Sequence, residues 1–175
     1  IDPKESDFLR EYHNKGTLAE LIEIIKKLEH NHIIDRYVIF DVNETKSLNR
    51  QWFNIDSEKS HTKSKAPLAP QIFAFNECKG DYILQVDSDV LIGRKDYHHS
   101  YLKEMLAEFD KNEDVLSVGF NIYHTHDNPY FGFENGGFVP EVRMGLLHKK
   151  RIYELLPLPN SINDSGEIEL TWHRN

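Results

Sequence analysis

Amphipathic helical stretches alternate with short apolar runs along this chain, and that alternation constrains its fold more than any other feature. Residues 17–29 open with a Thr-x-x-Glu capping box and carry Leu and Ile at helical spacing. The apolar runs at 37–40 and 82–86 are too short for helices and predict buried strands. Further helices are predicted at 71–78, 100–111 and 150–156, and further strands at 115–123 and 142–147. The predicted fold class is α/β, a layered sandwich with a mainly parallel central sheet flanked by helices.

The composition excludes several classes of protein. The 175 residues include 21 Lys and Arg against 29 Asp and Glu, a formal net charge of −8, whereas binding to nucleic acid requires a basic surface. Hydrophobic residues make up 39% of the chain, enough for a packed core. No apolar run approaches the roughly 20 residues of a membrane-spanning helix. We expect one domain over residues 1–175, with no nucleic-acid partner and no transmembrane segment.

The cysteine content and the start of the chain bear on location. The single cysteine, Cys78, cannot form an internal disulfide, which is compatible with a reducing cytosol. The chain begins at Ile1 without an initiator methionine or a secretory signal pattern, so we expect a piece of a longer protein. The expected location is cytoplasmic, with association to the inner membrane surface through segments or partners outside this chain.

Acidic residues follow both predicted buried strands, Asp41 after the first and Asp87-Ser88-Asp89 after the second. Ligands of parallel sheets collect at the carboxyl ends of strands. Asp87 and Asp89 are two residues apart, which in extended backbone directs both carboxylates to one side. Converging carboxylates repel each other unless a cation lies between them, and Mg²⁺ and Mn²⁺ prefer such oxygen ligands together with substrate phosphates. The pattern predicts a divalent-cation site for a diphosphate; the competing interpretation is a capping Asp87 and a solvated Asp89.

A known family carries a similar pattern. The segment Lys79–Asp89 (KGDYILQVDSD) resembles the Asp-x-Asp segment of family-two glycosyltransferases, which have the GT-A fold. Residues 38–45 (VIFDVNET) resemble the earlier strand and acidic turn of that family, and the resemblance covers residues 17–123. It implies transfer of a sugar, with inversion, from a nucleoside-diphosphate sugar to a hydroxyl of a glycan, lipid-linked or protein acceptor, as in polysaccharide biosynthesis.

The resemblance also implies roles for single residues. Asp89 would be the principal ligand of Mn²⁺ or Mg²⁺, with Asp87 beside it near the ribose or diphosphate. The residues assigned to the nucleotide sugar are Asp41, Asn43, Asp87, Gly137 and Arg143, of which Asp41 would contact the base. Glu167 would be the general base, because residues 166–174 look like a degenerate Gly-Glu-Asp segment, and the neighbouring Asp164 is a second candidate. His173 is a further candidate metal ligand on the chemistry of its imidazole.

Departures from the family pattern keep two alternatives open. No strand precedes the first predicted helix, Val42 and Ile168 stand where the family has acidic residues, and the helix before Asp87 lacks the family's Arg. These departures favour a non-catalytic nucleotide- or sugar-binding domain with a degenerate site. A sugar-phosphate nucleotidyltransferase is the other alternative, but the Gly-rich basic loop that binds its triphosphate is missing from the sequence.

Overall fold

The structure, a computed structural model, describes residues 1–3, 16–87, 90, 96–119 and 144–174. The described elements are, in chain order, α1 (Leu18–His30), α2 (Thr45–Phe53), α3 (Ala69–Glu77), β1 (Tyr82–Val86), α4 (Tyr101–Lys111), β2 (Ser117–Gly119), β3 (Met144–His148) and α5 (Lys149–Glu154), with 3₁₀ turns at Val42–Glu44 and Trp172–Arg174. They belong to two compact units, one formed by Ile1–Glu77 with Pro157–His173 and the other by Cys78–Leu156. The mixed α/β class is confirmed, whereas a single domain over residues 1–175 stays a prediction.

Most predicted elements are present with small shifts at their ends. The predicted strand at 82–86 is β1, but the expectation that it is buried is wrong, because Tyr82, Leu84 and Val86 are exposed and only Ile83 is buried. The predicted helices at 71–78, 100–111 and 150–156 correspond to α3, α4 and α5, and the strand predicted at 142–147 corresponds to β3. The strand predicted at 115–123 is described only as β2, because residues 120–143 lie outside the described residues. None of the described helices combines the length and apolar character that a bilayer-spanning helix requires.

Helix α1 begins at the predicted capping box. The Thr17 hydroxyl oxygen accepts a hydrogen bond from the N–H of Glu20 (3.2 Å), and the Glu20 carboxylate accepts one from the N–H of Thr17 (2.7 Å). No residue of α1 is buried, and Ile24 is 55% exposed. The periodicity of residues 17–29 therefore predicted the helix correctly without predicting how much of its apolar face is covered.

The strand predicted at 37–40 is wrong. Phe40 donates its N–H to the carbonyl of Ile1 (2.8 Å), and the amino group of Ile1 donates to the carbonyl of Val38 (2.7 Å). These bonds join an extended segment to a single residue, whereas a strand requires a ladder of paired residues. The apolar, β-branched composition of this run predicted an extended backbone but could not predict a partner for it.

The composition of the polar segment 57–65 (SEKSHTKSK) is typical of an exposed loop, but its central residues are buried. Ser60, His61 and Thr62 are 3%, 9% and 2% exposed. The wholly buried Asn49 of α2 donates two amide hydrogen bonds, to the carbonyls of Ser57 (2.9 Å) and Lys59 (3.0 Å). A polar segment can lie inside the protein when its backbone groups find such partners.

The second unit contains a three-stranded sheet of order β1-β3-β2. Strand β3 pairs antiparallel with both neighbours, so β1 and β2 run in the same direction with β3 between them. Helix α4 connects β1 to β2 along the chain, as in a split β-α-β arrangement. The predicted sheet was mainly parallel, whereas both strand pairings of the described sheet are antiparallel. Short apolar runs predict strands, but not the direction of the strand that pairs with them.

Helix α4 packs on one face of this sheet. Met105 and Phe109 are buried against Leu146 of β3, and Val118 of β2 packs against the same cluster. At the end of α4, the Arg151 guanidinium of α5 donates to the carbonyls of Phe109, Asn112 and Val115 (3.1, 3.0 and 2.9 Å). Arg151 thus satisfies carbonyls at the end of α4, where intrahelical partners are lacking.

We expect the second unit to lose stability as the pH falls below about 6.5, because of His148. Its ring lies 4.9 Å from the Tyr82 ring and 5.5 Å from the Phe109 ring between centroids. Burial lowers the pKa of His148 from its ordinary 6.5, and the Arg151 charge lowers it further, against smaller opposing effects that include those of Asp81 and Glu154. The unfolded chain therefore takes up a proton at a higher pH than the folded chain.

The free energy of unfolding should be highest above this range and should fall as the pH drops toward the lowered pKa of His148. Urea denaturation between pH 8 and pH 5 measures the effect. His148→Phe keeps an aromatic ring against Tyr82 and Phe109 and should flatten the pH dependence. An unchanged slope in that variant would assign the pH dependence to other groups.

Candidate functional site

Asp87 lies where the sequence placed it, directly after β1 at the carboxyl end of that strand. The residue is exposed, and its backbone carbonyl accepts a hydrogen bond from the N–H of Val90 (3.1 Å). Val86 pairs with Met144, so the chain leaves β1 and enters β3 at the same edge of the sheet. The edge toward which β1 and β2 both run therefore carries an accessible carboxylate.

Three other predicted site residues lie outside the described residues. They are Asp89, Gly137 and Arg143. The structure therefore describes one member of the predicted Asp87 and Asp89 pair, and the roles of the other three stay predictions.

Next to Asp87, one face of the sheet carries a single side chain and two glycines at the same level. Gln85 of β1 pairs with Gly145 of β3, and Gly145 pairs with Gly119 of β2. Paired residues in neighbouring strands share a face, and that face is opposite to the one on which Leu146 and Val118 pack against α4. We call these three residues the glycine row. The glycine row was not predicted from the sequence, although a glycine inside a predicted strand signals a close approach of backbone or ligand.

Asp41 and Asn43 form a local cap in the first unit. One carboxylate oxygen of Asp41, Oδ1, accepts hydrogen bonds from the N–H and from the side-chain amide of Asn43, both at 2.9 Å. Asp41 is thereby the N-cap of the 3₁₀ turn Val42–Glu44. Both side chains are exposed, so the cap accounts for their position while leaving their predicted contact with a nucleotide untested.

Glu167 and Asp164 lie in a tight turn of the first unit. The side-chain oxygen of Asn163 accepts the N–H groups of Ser165 (3.0 Å) and Glu167 (2.9 Å). The Glu167 carboxylate in turn accepts from the amide of Asn163 (3.2 Å) and from Lys65 Nζ (3.4 Å), while Asp164 is exposed.

The partners of Glu167 affect its strength as a base. The Asn163 hydrogen bond, followed by the Lys65 hydrogen bond and charge, lowers the pKa of Glu167 below its ordinary 4.5. A carboxylate with a lowered pKa holds a proton less firmly, so it is a weaker general base than an ordinary glutamate. Lys65 is itself paired with Glu167, and Lys63 is paired with Glu169.

His173 belongs to the first unit and lies in the 3₁₀ turn Trp172–Arg174. It is half-buried, with Nε2 3.3 Å from the Thr171 hydroxyl and its ring 5.8 Å from that of Trp172. Within the described ranges, no group of three or more His, Cys, Asp or Glu side chains is placed to hold a metal ion. Of the predicted ligands, Asp87 belongs to the second unit and His173 to the first.

No family model matches this chain, and comparisons with curated proteins and with solved structures found no match. A function for the chain has to be inferred from its own residues.

Proposed function

We propose that this chain is the catalytic domain of a metal-dependent glycosyltransferase with a GT-A-like fold. It transfers a sugar from a nucleoside-diphosphate sugar to an acceptor hydroxyl. The observation that carries the proposal is the position of Asp87, exposed at the carboxyl end of β1 and at the edge toward which β2 also runs. Ligands of open α/β sheets bind beyond the carboxyl ends of strands.

The residues at this edge fit a hard divalent cation. Asp87 supplies an exposed carboxylate, and Asp89 supplies a second one two positions further along the chain. Mg²⁺ and Mn²⁺ bind through one or two carboxylates and keep other positions for water and substrate phosphates. The ion would neutralise the charge that develops on the departing diphosphate. Asp87 and Asp89 hold it in this proposal, and Asp41 and Asn43 position the nucleoside.

Sugar transfer then requires one proton acceptor. The acceptor oxygen forms a bond to the anomeric carbon while the bond from that carbon to the diphosphate oxygen breaks, with inversion. The hydroxyl proton passes to Glu167 or to Asp164. Gly137 and Arg143 line the donor sugar, and the acceptor is a glycan, a lipid-linked molecule or a protein.

A specific observation favours a second function, a nucleotide-sugar-binding domain without catalysis. Glu167 is held by Asn163 and Lys65, and its lowered pKa makes it a weak base. If neither Glu167 nor Asp164 accepts a proton from the acceptor, the edge at Asp87 still binds donor and metal but transfers nothing.

Calorimetry with UDP, GDP, CDP and dTDP, each with and without Mn²⁺, tests the proposal. We expect one diphosphate to bind in the presence of Mn²⁺ and to bind at least roughly tenfold more weakly after EDTA, since the carboxylates cannot hold a diphosphate without the cation. Failure of all four diphosphates to bind would overturn both functions.

Incubation of the matching hexose donor with the protein then separates the two functions. Release of the free diphosphate indicates an enzyme, even when water takes the place of the acceptor and receives the sugar. Binding of the donor without release of the diphosphate indicates the binding domain. Release of pyrophosphate from a nucleoside triphosphate would instead indicate the nucleotidyltransferase.

A further inference from the structure

Helix α1 carries an apolar stripe that is largely exposed. Six of its thirteen residues are Leu or Ile, yet none of the thirteen is buried. Leu18, Leu21 and Ile24 are 38%, 43% and 55% exposed, and they follow one another at intervals of three residues along one side of the helix. Leu28, seven residues after Leu21, is half-buried and continues this side. We call these four residues the α1 stripe.

A stripe of this kind indicates an interaction surface. In the second unit, the apolar side of α4 is covered, because Met105 and Phe109 are buried against Leu146. Single apolar side chains scattered over a surface need no partner, whereas successive ones on one side of a helix form a contiguous patch. Such patches mark places where another molecule binds.

The charges beside the stripe indicate which partner fits it. Glu20 lies in the first turn of α1 and Lys27 in the last turn, and both residues are exposed. Ile24 is four residues after Glu20 and three before Lys27, so both charges are neighbours of Ile24 on the helix surface. An antiparallel copy of the same helix would bring Glu20 of each copy beside Lys27 of the other. A parallel copy would bring like charges together.

We propose that the α1 stripe is the contact through which two copies of this chain form an antiparallel, two-fold symmetric dimer. In such a contact the same surface is used by both copies, so it must be complementary to itself. The α1 stripe meets this condition, since its apolar centre is flanked by an acidic residue toward one end and a basic residue toward the other. The symmetry axis passes close to Ile24, midway between Glu20 and Lys27. The dimer does not depend on the proposed function.

The size of the contact predicts a weak dimer. The thirteen residues of α1 span about 20 Å. Stable interfaces bury roughly 1,200–2,000 Å², more than one pair of such short helices provides. We therefore expect monomer and dimer to exchange, with dissociation at roughly 10–100 µM, as in transient complexes.

A lipid surface fits the α1 stripe less well. Helices that lie in a membrane interface are rich in Lys and Arg on their polar side. The charged side chains of α1 are Glu20, Glu23 and Glu29 against Lys26 and Lys27, so acidic residues are in the majority. We expect no binding to phosphatidylglycerol vesicles. Wild-type protein that bound these vesicles and stayed monomeric in solution would assign the stripe to a membrane and overturn the dimer.

Equilibrium sedimentation of the full chain tests the dimer. The wild type should change from monomer to dimer between about 5 and 500 µM, by mass action. Ile24→Asp should weaken association by at least roughly tenfold, because it places two like charges close together at the symmetry axis. Its melting temperature at low concentration checks that the fold is retained. A wild type that stays monomeric throughout, or association that Ile24→Asp leaves unchanged, would overturn the proposal.

A second variant tests the antiparallel arrangement and leaves the stripe intact. Lys27→Glu turns both contacts between Glu20 and Lys27 into like-charge contacts, so association should weaken by roughly tenfold, and less in high salt. Lys26→Glu is the matched control. It changes the net charge equally, but Lys26 is bonded to Glu23 (2.9 Å) on the side of the helix away from Ile24. The control should associate as the wild type does. Equal association of the two charge variants would exclude the antiparallel contact.

Discussion

Asp87→Asn should lower the affinity for the nucleoside diphosphate in the presence of Mn²⁺ by roughly 100-fold. Mutation of residues that only hydrogen-bond to a metal ligand already lowers metal affinity by about 10- to 100-fold, and Asp87 is proposed to bind the metal itself. The substitution keeps the size and one oxygen of the side chain but removes the charge that balances the cation. Asp87 is exposed and follows the last residue of β1, so the fold should tolerate the change. Calorimetry with and without Mn²⁺ measures the loss.

The matched control for this variant is Asp81→Asn. Asp81 is also exposed, and it immediately precedes β1 at the opposite end of the same strand. Removal of its charge changes the net charge of the protein by the same amount without touching the carboxyl edge. The control should bind the diphosphate as the wild type does. Equal binding by wild type and Asp87→Asn, with unchanged melting temperatures, would remove Asp87 from the metal site.

The local elements of this protein could be predicted from sequence because their signals are local. The capping box at Thr17 and Glu20 forms the predicted hydrogen bonds. The predicted and observed bounds of β1 agree, because residues that disfavour strands, Gly80 and Asp81 before it and Asp87 after it, flank the apolar run. Short-range geometry decides each of these features, and it needs no information about the rest of the molecule.

Features that depend on distant partners could not be predicted. The antiparallel pairing of β1 with β3 joins residues about sixty positions apart, and nothing within either run specifies its neighbour. The segment at 37–40 has strand composition, but its hydrogen-bond partner is Ile1. Propensity describes a preference of the backbone, whereas a strand also requires a second chain segment.

In the candidate site, too, features set by local geometry could be predicted and features set by distant partners could not. Asp87 could be placed from sequence because its position depends only on where β1 ends. The cap formed by Asp41 and Asn43 is local too, yet an acidic residue after an apolar run is equally compatible with a ligand and with a cap. The glycine row requires the register of three strands, which the sequence does not contain.

The side chain of Asn49 satisfies two backbone carbonyls of the segment 57–62, and its replacement should be strongly destabilising. Asn49 is wholly buried, and both of its amide contacts are backbone carbonyls, of Ser57 and Lys59. Only the nitrogen of the amide can donate to carbonyls, so the orientation of the side chain is determined. Asn49→Asp would replace that donor with an acceptor and bring a buried negative charge against two carbonyl oxygens.

We therefore expect Asn49→Asp to lower the free energy of unfolding by about 4 kcal/mol at pH 7, the range found when a buried charge is left uncompensated. Part of this loss should be regained as the pH falls, because protonation of the introduced carboxyl removes the charge and restores one donor. Urea denaturation at pH 7 and pH 5 measures both effects.

Asn112→Asp is the matched control for this substitution. Asn112 is exposed, and its side-chain oxygen accepts the N–H of Asp114 (2.9 Å), a hydrogen bond that a carboxylate also makes. The free energy of unfolding of the Asn112→Asp variant should differ from that of the wild type by no more than about 0.5 kcal/mol. If the Asn49 and Asn112 variants were equally stable, the Asn49 amide would not be what holds the polar segment inside the protein. Some other contact would then have to satisfy the carbonyls of Ser57 and Lys59, because buried carbonyls left without donors would themselves destabilise the fold.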